Sequence, residues 1–123
     1  MRQEERDTMS EYNGWTNHET WCVNLWITNT QGDYEYWRQQ AFAHADSAAS
    51  CQMVEDGIWT IEEAAKFNLA DEMKEGITEN GTEAIDGVSL FSDLISSALG
   101  SVNWHEIAEA FLEGVEYPEM EDA

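Results

Sequence analysis

The stretch Gly14-Trp15-Thr16-Asn17-His18-Glu19-Thr20-Trp21, running on through Cys22-Val23-Asn24-Leu25-Trp26-Ile27, holds three of the six tryptophans and a complete helix-start signal. Thr16 is placed to accept from the backbone N–H of Glu19, while Glu19 reaches back to the N–H of Thr16, a capping box. Gly14 just upstream allows the chain to turn tightly into the helix. Projected at about 100° per residue, Trp21, Leu25, Cys22, Trp26, Val23 and Ile27 cover well over half the circumference and leave Asn24 and Thr28 open. A helix apolar that far round is covered on more than one flank. The stretch therefore predicts the central helix of a small bundle, from about Asn17 to Asn29.

Further helices follow from periodicity and punctuation. Thr30-Gln31-Gly32-Asp33 reads as a turn with Asp33 as cap. Tyr34, Trp37, Ala41, Ala45 and Ala48 then share one helical face, aromatic at one end and alanine at the other, so the alanine end can approach a neighbour closely. Residues 47–57 are undecided and end in a Glu-Asp-Gly turn signal. Thr60 and Glu63 form a second capping box opening a helix to about Glu75, with stripe Ile61, Ala65, Leu69 and Met73 and a stop at Gly76. Thr78 to Gly87 reads as a loop. Asp86 caps a helix through Phe91, Leu94, Ile95, Ala98 and Leu99, ending at Gly100. Asn103 caps the last helix, with Glu106 at its third position. Trp104, Ile107, Ala108, Phe111, Leu112 and Val115 give that helix the cleanest amphipathic pattern, and Pro118 closes it.

The fold class is therefore all-α: a compact single-domain bundle of four to five helices around a Trp-rich central helix. Residues 1–12 are expected to be a disordered tail, 13–117 the helical domain and 118–123 an acidic tail. At 123 residues the chain can bury a core without disulfides, and Cys22 and Cys51 are too few for a disulfide framework.

Charge sets the limits on function. Twenty-six acidic residues stand against five basic ones, a formal net charge of −21. A field of that sign repels nucleic acid and anionic membrane as direct partners. No stretch approaches the roughly 20 apolar residues of a membrane span, and Met1 to Asn13 lacks a signal-peptide run. A cytoplasmic protein is expected. The remaining readings are a basic protein partner, a saline cytoplasm, or acidity that serves solubility alone.

The few cations are placed for local neutralisation: Lys66 after Glu62, Lys74 after Asp71 and Arg38 after Glu35, at helical spacing. From Glu75 to the end there are 12 acidic residues and no lysine or arginine. Glu106, Glu109, Glu113 and Glu116, at i, i+3, i+7 and i+10, would line one face of the last helix over about 15 Å. Glu75, Glu79, Glu83 and Asp86 extend the acidic surface. Like charges at these spacings each cost a helix a few tenths of a kcal/mol, and glutamates in its last turn oppose the helix dipole. Stability alone would place lysines there. A run of carboxylates is comparable in sign and scale to the phosphates of duplex DNA, which carries one charge per about 1.7 Å of axis. The plain alternative is a solvated acidic face.

Catalytic signatures are absent: no P-loop, dinucleotide turn, nucleophile elbow or His-Glu-x-x-His occurs. His105 and Glu109 lie one turn apart, but a zinc site needs three or four ligands, which His18 and His44 would have to complete. Polar roles at the surface are the reading for His18 and His105, and no cofactor or metal is assigned. Trp15 and Trp59 fall just outside the predicted helices and are candidate aromatic anchors for a partner, with core packing as the default reading for both.

At Asn13-Gly14-Trp15-Thr16-Asn17-His18-Glu19-Thr20-Trp21 the chain resembles a family of small acidic proteins of phages, plasmids and other mobile elements with a Gly-Trp-Thr-Asn-x-Glu-Thr-Trp signature. The resemblance continues through Asn24-Leu25-Trp26 and Tyr34-Glu35-Tyr36-Trp37-Arg38. It resumes at Phe91-Ser92-Asp93-Leu94-Ile95 and Val102-Asn103-Trp104-His105-Glu106-Ile107-Ala108. It brings no catalytic residues. What it implies is a mobile-element setting, in which strongly acidic small proteins often inhibit host defence enzymes by imitating DNA. The expected function is a non-enzymatic acidic binding protein, an anti-restriction or anti-defence inhibitor whose partner is a basic, DNA-binding host protein. The alternative is a structural or regulatory interaction module whose acidity reflects solubility or halophilic adaptation.

Overall fold

The computed structural model describes residues 12–84 and 90–117, apart from the side chains of 82–84. Of the expected tails, 1–12 and 118–123, residues 1–11 and 118–123 lie outside the described residues, as does Asp86. Among the described residues five helices of more than one turn make up the architecture: α1 His18–Asn29, α2 Gln31–Ser47, α3 Ile61–Ala84, α4 Leu90–Gly100 and α5 Trp104–Leu112. A 3-10 turn, Ala48–Ser50, and a single helical turn, Gln52–Glu55, connect α2 to α3. No strand occurs among the described residues; one isolated bridge pairs Tyr12 with Trp15. The all-α bundle is the one expected.

Its centre lies elsewhere than expected. α3 contributes Ala64, Ala65, Leu69, Ala70 and Met73 to the core, and packs against both α2 and α5. α2 brings Trp37, Ala41 and Ala45, with Ala48 just beyond it; α5 brings Trp104, Ile107, Ala108, Phe111 and Leu112. The Trp-rich α1 is a flanking helix, with Thr20 and Ile27 its buried residues, and Trp26 is 68% exposed. Size explains the exchange. A helix approached on two sides at 8–10 Å needs small side chains at both contacts. α3 supplies alanines there, whereas α1 carries bulky groups all round.

Boundaries also move. α2 begins at Gln31 directly after Thr30, so Gly32 and Asp33 sit inside its first turn and Asp33 is not its cap. The α3 capping box forms as read: Glu63 N–H donates to Thr60 Oγ1 at 3.0 Å, and Thr60 N–H to Glu63 Oε1 at 2.9 Å. α3 then runs through Gly76 to Ala84, across part of the expected loop. Gly76 lies under the Trp37 ring, where an added Cβ would stand 3.7 Å from Cη2, and Gly81 lies against Leu99 and Ile95 of α4. Packing at these close approaches offsets the roughly 1 kcal/mol that glycine costs in a helix. α5 stops at Leu112, six residues before Pro118. Gly114, at φ +77°, supplies the left-handed residue that ends the helix. Val115 is buried beyond that turn rather than on a continuing helix.

Candidate functional site: an acidic cleft beside a long-range clasp

The first turn of α1 and the first turn of α5 are tied together across more than 80 residues of sequence. Asn17, not Thr16, caps α1: its Oδ1 accepts from the Thr20 N–H at 2.9 Å and from the Thr20 hydroxyl at 2.6 Å. The Asn17 amide donates to the Ser101 carbonyl at 2.8 Å. Thr20, fully buried, accepts from the Asn103 N–H at 2.8 Å. Asn103 caps α5 through the Glu106 N–H at 3.1 Å, and its amide donates to the Thr16 hydroxyl at 3.1 Å. Glu106 Oε1 accepts from the Thr16 N–H at 2.9 Å. The expected Thr16–Glu19 box is thus replaced by a reciprocal one, in which each helix start satisfies donors of the other.

Upstream, Tyr12 and Trp15 exchange backbone hydrogen bonds around Asn13 and Gly14, both at positive φ, as an Asn-Gly turn of the I′ type requires. Tyr12, His18 and Trp21 stack pairwise there, with ring centroids 4.8–5.5 Å apart. The two most distinctive sequence motifs of the chain therefore meet, and what they build is structural.

This geometry takes Glu106 out of the expected carboxylate stripe. The rest of the stripe is not a helical line either: Glu109 is on α5, Glu113 is its C-terminal cap, and Glu116 lies beyond Gly114. Chain reversal at Gly114 gathers them differently. Glu109 and Glu113 line a cleft of about 320 Å³ with Glu62, Glu63, Lys66, Leu112 and Tyr117. Glu116 lines an adjoining hollow with Phe42, Ala43, Asp46 and, again, Tyr117. The first cleft sets four carboxylates against one ammonium, with Leu112 and Tyr117 completing its lining. Tyr117 reports the environment: burial pushes its phenol above 10.0, and the Glu62 charge adds to the shift.

Glu62 and Glu63 sit in the first turn of α3, where the helix dipole favours them, whereas Glu113 sits at the unfavourable end of α5. Of the four, Glu63 is engaged in capping. Glu62, Glu109 and Glu113 form no ion pair among the described residues. The ion pairs expected for Lys66, Lys74 and Arg38 do not form among the described residues either; there, His44 Nε2 lies 2.6 Å from Glu72 Oε1. Lys66 and Arg38 lie over the rings of Phe67 and Phe42, at 5.5 and 5.2 Å. An exposed helical ion pair is worth a few tenths of a kcal/mol, so a cation that can lay its stem on an aromatic ring gives up little by leaving its carboxylate.

Glu75 and Glu79 lie on the later turns of α3, with Asp71, Lys74 and Thr78. Thirteen residues from Glu62 to Glu75 amount to about 20 Å of helix, so these glutamates form a separate acidic patch, not an extension of the cleft. Glu83 is within α3, with its side chain outside the described residues. For the candidate anchors the core reading holds, while a tryptophan expected in the core is exposed. Trp15 and Trp59 are half-buried against the core, Trp59 edge-on to Phe67 at 4.9 Å, and the exposed tryptophan is Trp26. The histidines do not converge: His105 packs on Phe67 at 4.9 Å, His44 pairs with Glu72, and His18 joins the Tyr12 cluster.

Fold and surface together define a small all-α domain with a dominant negative field. The chain belongs to a protein family of unknown function, DUF7249, whose model matches residues 8–122. No curated protein and no solved structure matches it.

Proposed function

We propose that the protein is a non-enzymatic acidic binding protein whose cleft surface stands in for DNA phosphates and occupies the DNA-binding surface of a basic partner. In a phage or mobile element this is the action of an anti-restriction or anti-defence inhibitor. The observation that carries the reading is the set of carboxylates around Tyr117 that have no ion-pair partner among the described residues: Glu62, Glu109 and Glu113 in the cleft, with Glu116 and Asp46 beside it. Glu113 opposes the α5 dipole and forms no ion pair among the described residues, a placement that favours recognition of cations over stability.

Geometry also favours a surface over a line. Lysine and arginine side chains of a DNA-binding groove come from both walls, and carboxylates presented by α3, α5 and the 113–117 segment can meet both. The test is capture of a partner from host lysate followed by competition with duplex DNA. Displacement by DNA, with affinity falling steeply as salt rises, supports the proposal. A chain that captures nothing at physiological salt, or a partner indifferent to DNA, contradicts it.

A further inference from the structure

α4 packs on α3 through Ile95 and Leu99, which lie against Gly81. Its outer face carries Leu90, Phe91 and Leu94, 67%, 65% and 55% exposed, and the exposed Ala98. These four positions fall within about 100° of the helix circumference, so they form one stripe. Between Leu90 and Trp104 the single charged side chain is Asp93, in a chain with 26 acidic residues. A contiguous apolar stripe of this kind marks an interaction surface.

We infer that a second copy of this chain occupies the stripe, α4 against α4 across a two-fold axis. Three observations select that occupant. The basic partner of the proposed function is drawn to carboxylates, and this helix offers it one. Of the segments outside the described residues, 1–11 and 118–123 carry methionines but no leucine, isoleucine, valine or aromatic residue to cover it, and 85–89 carries two apolar side chains, Ile85 and Val88, against the four positions of the stripe. The stripe is also self-complementary in size. In an antiparallel pair centred on Leu94, Leu90 meets the partner's Ala98 and Phe91 meets the partner's Ser97.

Area sets the strength. Three half- to two-thirds-exposed side chains offer on the order of 100 Å² each. The pair of copies therefore covers about 600 Å² of apolar surface, which at roughly 60% apolar content corresponds to an interface of about 1,000 Å². That is the lower limit for a specific dimer, so the affinity is micromolar or weaker. Two chains of this charge repel, and salt screens the repulsion. Self-association therefore strengthens with salt, opposite in sign to binding of a cationic partner through the cleft, and the two surfaces can be separated.

Sedimentation velocity of the full chain, from about 1 µM to about 1 mM in about 0.05 M and about 1 M KCl, tests this. A reversible dimer is expected, its dissociation constant at least about tenfold lower at the higher salt. Leu94→Glu, and separately Phe91→Ser, should remain monomeric throughout with the Tm of the parent. A parent that is monomeric at the highest concentration and salt overturns the inference, as does a Leu94→Glu variant that dimerises like the parent. A Leu94→Glu variant with a sharply lowered Tm shows the stripe covered within the chain, and overturns it as well.

Discussion

At the first turn of α5 the Glu106 carboxylate accepts the Thr16 N–H at 2.9 Å, closing a network that includes the fully buried Thr20. One turn further on, Glu109 is exposed, and with Glu113 it faces a cleft whose cation, Lys66, lies over Phe67. The same side chain, repeated along one short segment, serves cohesion at one end and leaves charge uncompensated at the other. Charge spacing alone does not separate the two; the partner of each carboxylate does. The N-terminal end of α5 is where two distant parts of the chain are joined, and its C-terminal end is where the surface field is built.

The largest expected effect breaks the clasp. Thr20→Val removes the hydroxyl that accepts from Asn103 N–H and donates to Asn17 Oδ1. It leaves a buried donor without a partner, which should cost about 2–3 kcal/mol in urea unfolding. Glu106→Ala exposes the Thr16 N–H to water rather than burying it and should cost about 1 kcal/mol. Glu109→Ala, by contrast, should change stability by less than about 0.5 kcal/mol. Equal losses for Glu106→Ala and Glu109→Ala would erase the distinction between the two ends.

Glycines divide in the same way, by geometry and not by residue type. Gly76→Ala places a Cβ at ordinary contact distance from the Trp37 ring inside a helix, and should stabilise by about 0.5–1 kcal/mol. Gly114→Ala forces a side chain into a left-handed conformation at φ +77°, and should destabilise by about 1 kcal/mol. Paired thermal melts decide both signs.

The smallest effect is a pH effect at the acidic end. Folding raises the Tyr117 pKa above 10.0, so the neutral phenol is favoured in the folded state. Its stabilisation is complete below pH 10.0 and is lost as pH rises through the folded value. Tyr117→Phe should flatten that part of the alkaline unfolding curve and leave neutral pH unchanged.

Local signals were legible in the sequence wherever both partners lie within a few residues. The Thr60–Glu63 box and the Asn103 cap form as read. At α1 the sequence points to Thr16 with Glu19, but Asn17 takes the cap, held there by Ser101, Asn103 and Glu106, more than 80 residues away. The end of α5 misleads for a different reason. Val115 and Glu116 continue the amphipathic pattern past Gly114, but Val115 reaches the core from an irregular segment. The four-glutamate stripe followed from that longer helix and falls with it. What remains of it, Glu109 and Glu113, gains Glu62 and Tyr117, whose proximity no sequence spacing contains. The Asn13-Gly14 turn, in contrast, is a purely local signal, since an Asn-Gly pair favours two successive positive φ values.

The central claim is that the carboxylates around Tyr117 recognise a cationic, DNA-binding surface while Glu106 holds the fold. The most direct measurement is the salt dependence of partner binding for the Glu62→Gln, Glu109→Gln, Glu113→Gln, Glu116→Gln variant, with Glu106 intact. Removal of repelling charges should hold or slightly raise its Tm. Its affinity should fall, with a shallower salt slope than the parent, and duplex DNA should displace the parent complex. A variant that binds as tightly as the parent, with the same slope, would contradict the assignment and leave the acidity as solvation.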